Sequence, residues 1–318
     1  MSLLSVQGAS CHFRLGAGKV VHAVDEVSFD IERGETFALV GESGCGKSTL
    51  AKLVLQLHDP TAGRIVFDGE DTRSLRGRSL KRFRSRVQAV FQDPYGSLNP
   101  RLRVGTILGE PLRAHGRGRE VARGVPEALE RVGLSADVAR LYPHEFSGGQ
   151  RQRIAIARSL VLEPELIVLD EPISALDVSI RAQVLNLLLD IQRDLGLAYL
   201  LIAHDLALIE HASRRVGVMY LGEIVETGPT RELFRAPRHP YTQALMAAVP
   251  HPDPDAVRAQ VGASGEVASA LAPPSGCRFH PRCPHAWNRC AEITPEDTPA
   301  GEERWAACHL LAEADGDG

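Results

Sequence analysis

The sequence predicts an α/β fold: a mostly parallel sheet covered by helices, with an inserted helical subdomain and a small cysteine-rich C-terminal appendage. Three observations carry this prediction. Residues 36–40, 166–169 and 198–203 are short apolar runs, the pattern of strands buried on both faces. Helical periodicity alternates with such runs along the chain, as in a sheet covered by crossover helices. A glycine-rich loop, Gly41-Glu42-Ser43-Gly44-Cys45-Gly46-Lys47-Ser48-Thr49, joins the first run to a helix.

Taken in order, Val24, Val27, Phe29 and Ile31 recur at nearly every second residue and predict a strand, which Arg33-Gly34 turns. Residues 36–40 form the next strand. Residues 48–57 place Leu50, Leu53, Val54 and Leu57 at helical spacing, and residues 63–69 read as a strand ending in a turn. The basic residues Arg73, Arg76, Arg78, Lys81, Arg82, Arg84 and Arg86 read as a solvated helix face. Residues 87–92 form a strand that stops at Asp93-Pro94. Residues 93–155 then change character, with helical patches at 106–112 and 126–132 broken by glycine and proline. Sheet grammar returns with the strand at 166–169, an amphipathic helix at 180–192 carrying Val184, Leu185, Leu188 and Ile191, and the strand at 198–203. From residue 236 the chain turns proline-rich, with thin stretches at 250–255 and 273–276, and little helix or strand is expected. Residues 312–318 are acidic and expected to be disordered. The expected division is therefore 1–235 for the main domain and 236–318 for the extension.

The chain has 318 residues, 44% of them apolar and 24% charged, an ordinary globular balance. Its net charge of -4 gives no global pull toward nucleic acid or acidic lipid. No apolar stretch approaches the ~18 residues of a membrane span. Met1-Ser2-Leu3-Leu4-Ser5 lacks the start of a signal peptide, so a cytoplasmic location is expected, with any membrane role coming through partners. Of six cysteines, Cys277, Cys283, Cys290 and Cys308 crowd the C-terminal end. In a reducing compartment such a cluster suggests metal more than disulfides.

The glycine loop fits the pattern G-x-x-x-x-G-K-[ST]. Its glycines let consecutive backbone N–H groups turn inward on a phosphate, and the following helix N-terminus adds partial positive charge. Lys47 brings a full charge to the β- and γ-phosphates, and Ser48 offers Mg2+ a hydroxyl. Cys45 reads as a small filler. Asp170-Glu171 closes an apolar strand, where carboxylates can face phosphates held by a neighbouring loop. Asp170 would hold Mg2+ and Glu171 would orient or deprotonate the attacking water. Ser147-Gly148-Gly149-Gln150 opens a further helix and directs more N–H groups toward an anion. A capped helix start is the compatible structural reading.

Together these motifs resemble the ATP-binding subunits of ABC transporters, which implies a P-loop NTPase core of the RecA-like kind. By that resemblance Gln92 is the glutamine that ligates Mg2+ and leads into the helical subdomain. His204 is the switch histidine at the γ-phosphate, and Ser174-Ala175-Leu176-Asp177 contacts the opposite chain. Phe13 is the candidate to stack on adenine, with His22 as competitor. Ser147, Gly148 and Gly149 would complete the ATP site of a second chain. Finer wording points to the oligopeptide/dipeptide importer branch: Phe91-Gln92-Asp93-Pro94-Tyr95-Gly96-Ser97-Leu98-Asn99-Pro100, Tyr142-Pro143-His144-Glu145-Phe146 before the signature, His239-Pro240-Tyr241-Thr242, and Gly276-Cys277-Arg278-Phe279-His280-Pro281-Arg282-Cys283. The run from Gln150 to Arg158 resembles the F-type ATPase subunit of that branch. The resemblance implies a partner ATPase in a heterodimer, two membrane permeases and an extracytoplasmic peptide-binding protein. It implies a place on the cytoplasmic face of the membrane. Nickel and some sugar importers share these motifs.

Signature-bearing ATPases of DNA repair, chromosome organisation and translation form a second class. A chromosome-type protein would need a long heptad insertion and a translation-type protein a second cassette; neither is present. The four clustered cysteines, with gaps of 5, 6 and 17 residues, suit a [4Fe–4S] cluster or a zinc site by number. The resemblance favours the cluster.

Overall fold

The computed structural model describes residues 2–174, 176–248 and 268–314. In chain order its strands are β1 (Leu4–Arg14), β2 (Val20–Ile31), β3 (Thr36–Val40), β4 (Ala62–Phe67), β5 (Glu70–Asp71), β6 (Val87–Val90), β7 (Leu166–Asp170), β8 (Ala198–Ile202), β9 (Arg215–Tyr220), β10 (Glu223–Pro229), β11 (Asp297–Gly301) and β12 (Arg304–Ala307). The helices are α1 (Lys47–Val54), α2 (Gly77–Arg86), α3 (Pro94–Ser97), α4 (Val104–Ala114), α5 (Val121–Arg131), α6 (Gly148–Leu160), α7 (Val178–Leu195), α8 (Leu206–Ala212), α9 (Thr230–Arg235), α10 (Pro240–Ala247), α11 (Asn288–Glu292) and α12 (His309–Ala314). The chain divides into two compact units.

The first unit comprises Met1–Leu4, Ile31–Thr36 and Phe67–Ala203. Its strands β6, β7 and β8 run parallel, with Val87 opposite Leu166 and Leu166 opposite Ala198. Every residue of β8 and the first four of β7 are buried, which accounts for their unbroken apolar sequence. The expected helical insertion is present as α4, α5 and α6. Leu108 and Leu112 of α4, Val125 and Leu129 of α5, and Ile154 and Ile156 of α6 are all buried. Both early helices are longer than sequence alone predicted. Pro111 and Pro126 lie inside them, because the buried apolar face outweighs the local propensity penalty. Helix α7 ends at Gly196, whose φ of 64° supplies the left-handed cap. From Arg78 to Arg84 the basic run is an exposed helix face as expected, but Arg73 and Arg76 precede α2 and Arg86 is half-buried at its end. Arg86 joins Arg33, Asp68 and Glu165 in a four-charge network, and the Glu165 carboxylate raises the Arg86 pKa well above its ordinary value.

The second unit comprises Ser5–Asp30, Phe37–Val66 and His204–Gly318. One of its sheets has the order β2-β1-β4. Strand β1 was not anticipated; it buries Leu4, Val6, Ala9 and Cys11. In the other sheet β3 runs parallel to β9, and the antiparallel order β9-β10-β12-β11 continues outward. Here the structure departs from the expected poverty of helix and strand after residue 236. Helices α10, α11 and α12 form, and β12 joins β10 with Glu226 opposite Ala306 and Thr227 opposite Trp305. A strand of four residues gives little periodicity, so its partner rather than its own sequence defines it. Residues 250–255 lie outside the described residues, as do 315–318. Ala312 to Ala314, placed in the expected disordered tail, instead close α12.

Candidate nucleotide-binding site

The glycine loop lies in the second unit and links β3 to α1. Two glycines are fixed there by crowding. A Cβ on Gly41 would stand 2.1 Å from the Met219 carbonyl oxygen, and one on Gly46 would stand 2.1 Å from that of Ala23. Gly46 also has a φ of 110°, which a side chain opposes. Helix α1 starts at Lys47, and its N-cap, Gly46, has no side chain to cap it. The buried Lys47 Nζ lies over the loop, donating to the carbonyls of Gly41 at 2.8 Å and Glu42 at 2.9 Å. Ser48 and Thr49 follow in the same first turn. This donor set, an inward ammonium beside a helix N-terminus, fits a polyphosphate. Cys45 is buried and burial raises its thiol pKa, in keeping with a filler and not a nucleophile.

The same unit holds Phe13 and His204. The Phe13 ring meets His58 edge-on at 5.5 Å, at the end of β1. Its competitor His22 packs on His12 at 4.3 Å, and both imidazoles bond to Asp25. Burial pushes the Asp25 carboxyl up, but hydrogen bonds from Arg278, His12 and His22 outweigh it and hold it below the ordinary value. His204 follows β8, and Asp205 beside it caps α8 through the Leu208 N–H.

The first unit holds the remaining candidates. Asp170 ends β7 opposite Ile202, and the Glu171 N–H donates to the Ile202 carbonyl at 2.9 Å. Glu171 has a φ of 49°, unusual for a residue with a side chain, and Ser174 closes a turn on its carbonyl. Arg181 donates to the carbonyls of Ser174 and Leu176, fixing the turn before Asp177, which starts α7. Gln92 is exposed just after β6, two residues beyond the observed strand end. Arg158 of α6 donates to the Ser97 carbonyl at 2.6 Å, tying the segment after Gln92 to the signature helix.

Ser147 caps α6 in a reciprocal box: the Gln150 N–H donates to Ser147 Oγ and the Ser147 N–H donates to Gln150 Oε1. Gly149 has a second reason to be glycine that sequence did not show. A Cβ there would meet Ile180 Cγ2 of α7 at 2.6 Å.

Two charged contacts in the second unit escaped sequence reasoning. Arg282 grips the Glu42 carboxylate with both arms, each at 2.9 Å. Arg304 meets Glu226, which is wholly buried, at 2.7 Å. The usable signal was an acid where none is required: in the second position of the loop, and in the middle of an apolar strand.

An α/β fold carrying an uncapped helix behind a glycine loop and paired acids at a strand end defines a P-loop nucleotide-binding protein. Comparison places it further. The ABC transporter family matches residues 24–174, and the oligopeptide/dipeptide transporter C-terminal region matches residues 225–290. A probable peptide ABC transporter ATP-binding protein of Sinorhizobium fredii is 50% identical over 324 residues, spanning 98% of this chain and 91% of that protein. The dipeptide transport ATP-binding protein DppF of Escherichia coli is 50% identical over 283 residues, covering 87% and 84%. Among solved structures, cbiO1 of Clostridium perfringens, part of the transporter complex cbiONQ, superposes with a TM-score of 0.65 at 30% identity, covering 74% of this chain and 91% of that one. The chain belongs to the ATP-binding subunits of ABC transporters, in the branch that carries the oligopeptide/dipeptide C-terminal region, and it is an ATPase.

Proposed function

We propose that this chain is one of two ATPase subunits driving an importer of di- and oligopeptides from the cytoplasmic face of the membrane. The observation that carries this is the joining, in one chain, of an ATP-binding cassette to the oligopeptide/dipeptide C-terminal region. Relatives named for peptide and dipeptide transport, 50% identical over most of the chain, support it. Residues 1–235 are the ATPase domain, with 93–155 as its helical subdomain, and 236–318 the extension. The partners are a second ATPase of the same family, two permeases and an extracytoplasmic peptide-binding protein. Among the described residues no helix is long and apolar enough to cross a membrane, so attachment runs through the permeases.

In this reading Gly41 to Thr49 cradle the phosphates of ATP and Phe13 stacks on adenine. Ser48, Gln92 and Asp170 hold Mg2+, whose charge offsets that of the phosphates. Glu171 accepts the proton of the attacking water and His204 contacts the γ-phosphate. Ser147, Gly148, Gly149 and Gln150, with Asp177, serve the nucleotide held by the partner ATPase. A dimeric ABC cassette 28% identical to this chain, with a TM-score of 0.64 over 72% of this chain and 99% of that one, supports that arrangement. Reconstitution with both permeases and a peptide-binding protein should give peptide-dependent ATP hydrolysis. Full hydrolysis by the isolated monomeric chain would overturn the shared-site reading. Stimulation by nickel and not by peptide would overturn the cargo.

Cys277, Cys283, Cys290 and Cys308 hold a structural metal in this proposal, an iron–sulfur cluster first and zinc as the alternative. All four are free thiols. Burial pushes Cys277 up to about 12 and Cys308 up to about 11, with the other thiols of the set adding to it. A cation amid these sulfurs would reverse that preference and favour thiolates. Among the described residues no three of the four sulfurs lie within 4.8 Å of one another. Protein purified without oxygen should be brown, with iron and sulfide bound, and Cys283→Ser should lose the colour. Colourless protein with one zinc per chain would overturn the cluster, and four freely alkylated thiols would overturn both.

A further inference from the structure

Glu42, the second residue of the phosphate loop, is held from the C-terminal extension at two points. Its backbone N–H donates to the Tyr241 hydroxyl at 2.8 Å. Its carboxylate oxygens accept from both arms of Arg282, at 2.9 Å each. Arg282 and Tyr241 are both buried, and neither is free to follow solvent. Tyr220, Tyr241 and Phe279 form an aromatic cluster behind this contact, with centroids 4.6 to 5.4 Å apart. The Arg282 guanidinium stands 5.8 Å from the centroids of both Tyr220 and Phe279. The extension is anchored a second time by Arg278, which pairs with Asp25 at 2.6 Å and Glu223 at 2.9 Å.

A carboxylate in a loop that cradles polyphosphate is an electrostatic liability. A bidentate guanidinium removes it and fixes the side chain in one geometry. The Tyr241 hydroxyl meanwhile fixes the main chain at the same residue. We infer that Arg282 is a positioning residue for nucleotide binding: acting through Glu42, it neutralises and orients the phosphate loop, so that the C-terminal extension is a built part of the ATP site. The geometry gives the extension a task in the cassette's own reaction, whatever the cargo and whatever the cysteines hold.

The test is ADP binding to the full chain by titration calorimetry, with circular dichroism as the check on folding. Arg282→Ala should weaken ADP binding by about 10-fold to 100-fold, the range for a lost hydrogen bond to a charged group. Arg282→Lys should recover part of the loss. Adding Glu42→Gln to Arg282→Ala should recover most of it, because the uncompensated charge is then gone. In the assembled transporter the KM for ATP should rise in Arg282→Ala while kcat holds. Unchanged ADP affinity in Arg282→Ala would overturn the inference. So would an equal loss with and without Glu42→Gln, the result expected of mere loosening. Should Arg282→Ala fail to fold, Arg282→Lys is the second variant, and ADP affinity in it equal to that of the parent would overturn the inference.

Discussion

Glu171→Gln is expected to bind ATP as the parent does and to hydrolyse it about 10²-fold more slowly or worse, the size of a lost general base. The structure makes this substitution a clean one. The backbone at Glu171 is held from both sides, its N–H by the Ile202 carbonyl and its own carbonyl by the Ser174 N–H and hydroxyl. That double hold sustains a φ of 49°, a conformation that costs about 1 kcal/mol or more and survives only where the surroundings impose it. Glutamine has the same shape and leaves those main-chain bonds untouched. What it cannot do is take a proton. The measurement is steady-state hydrolysis in the assembled transporter beside nucleotide affinity. A normal rate would remove Glu171 from the chemistry, and a parallel loss of ATP affinity would assign it to binding instead.

Arg304→Ala is expected to destabilise the outer part of the second unit by about 3–5 kcal/mol, as breaking a buried ion pair from one side does. Glu226 is 0% exposed, and its carboxylate accepts from Arg304 and from the backbone N–H groups of Arg238 and His239. Removing the guanidinium strands a charge with no access to water. Gly228 shows how closely the arginine passes: a Cβ there would lie 2.7 Å from Arg304 Cγ. Both tryptophans, Trp287 and Trp305, belong to the extension, so intrinsic fluorescence in urea reports on this region rather than on the whole chain. A large shift of that transition is expected for Arg304→Ala. Replacing Arg304 and Glu226 together by methionine should recover much of it, since no charge is then buried alone. A shift equivalent to less than about 1 kcal/mol would mean that the pair is solvated in solution, as exposed pairs are.

The two ends of the chain differ in how much of this was legible. The phosphate loop was readable because the ligand dictates the residues: a phosphate demands glycines, a lysine and a hydroxyl at fixed spacing, and neighbours in sequence supply them all. Strands β3, β7 and β8 were readable because burial on both faces leaves their middle residues apolar. The pairings that hold the extension were not readable. Glu42 and Arg282 are 240 residues apart and Glu226 and Arg304 are 78 apart, and neither pair marks its own neighbourhood. Strand β12 is defined by the edge it joins, and α5 begins before its proline because Val125 and Leu129 have a core to enter. Gly149 illustrates a residue legible for one reason and constrained by two, since helix packing excludes a side chain whether or not an anion is met.

The outermost strand of the second unit has a consequence for the life of the protein in a crowded cell. β10 would present a bare row of amides and carbonyls were β12 not laid along it, and such a row recruits strands from other molecules. The chain ends the sheet with β11, whose Pro299 donates nothing, whose Asp297 is charged and whose Gly301 weakens any further ladder. The extension thus works as a hem. A cassette trimmed near residue 235 would expose a sticky border, and its aggregation would say nothing about whether the ATP site itself can fold.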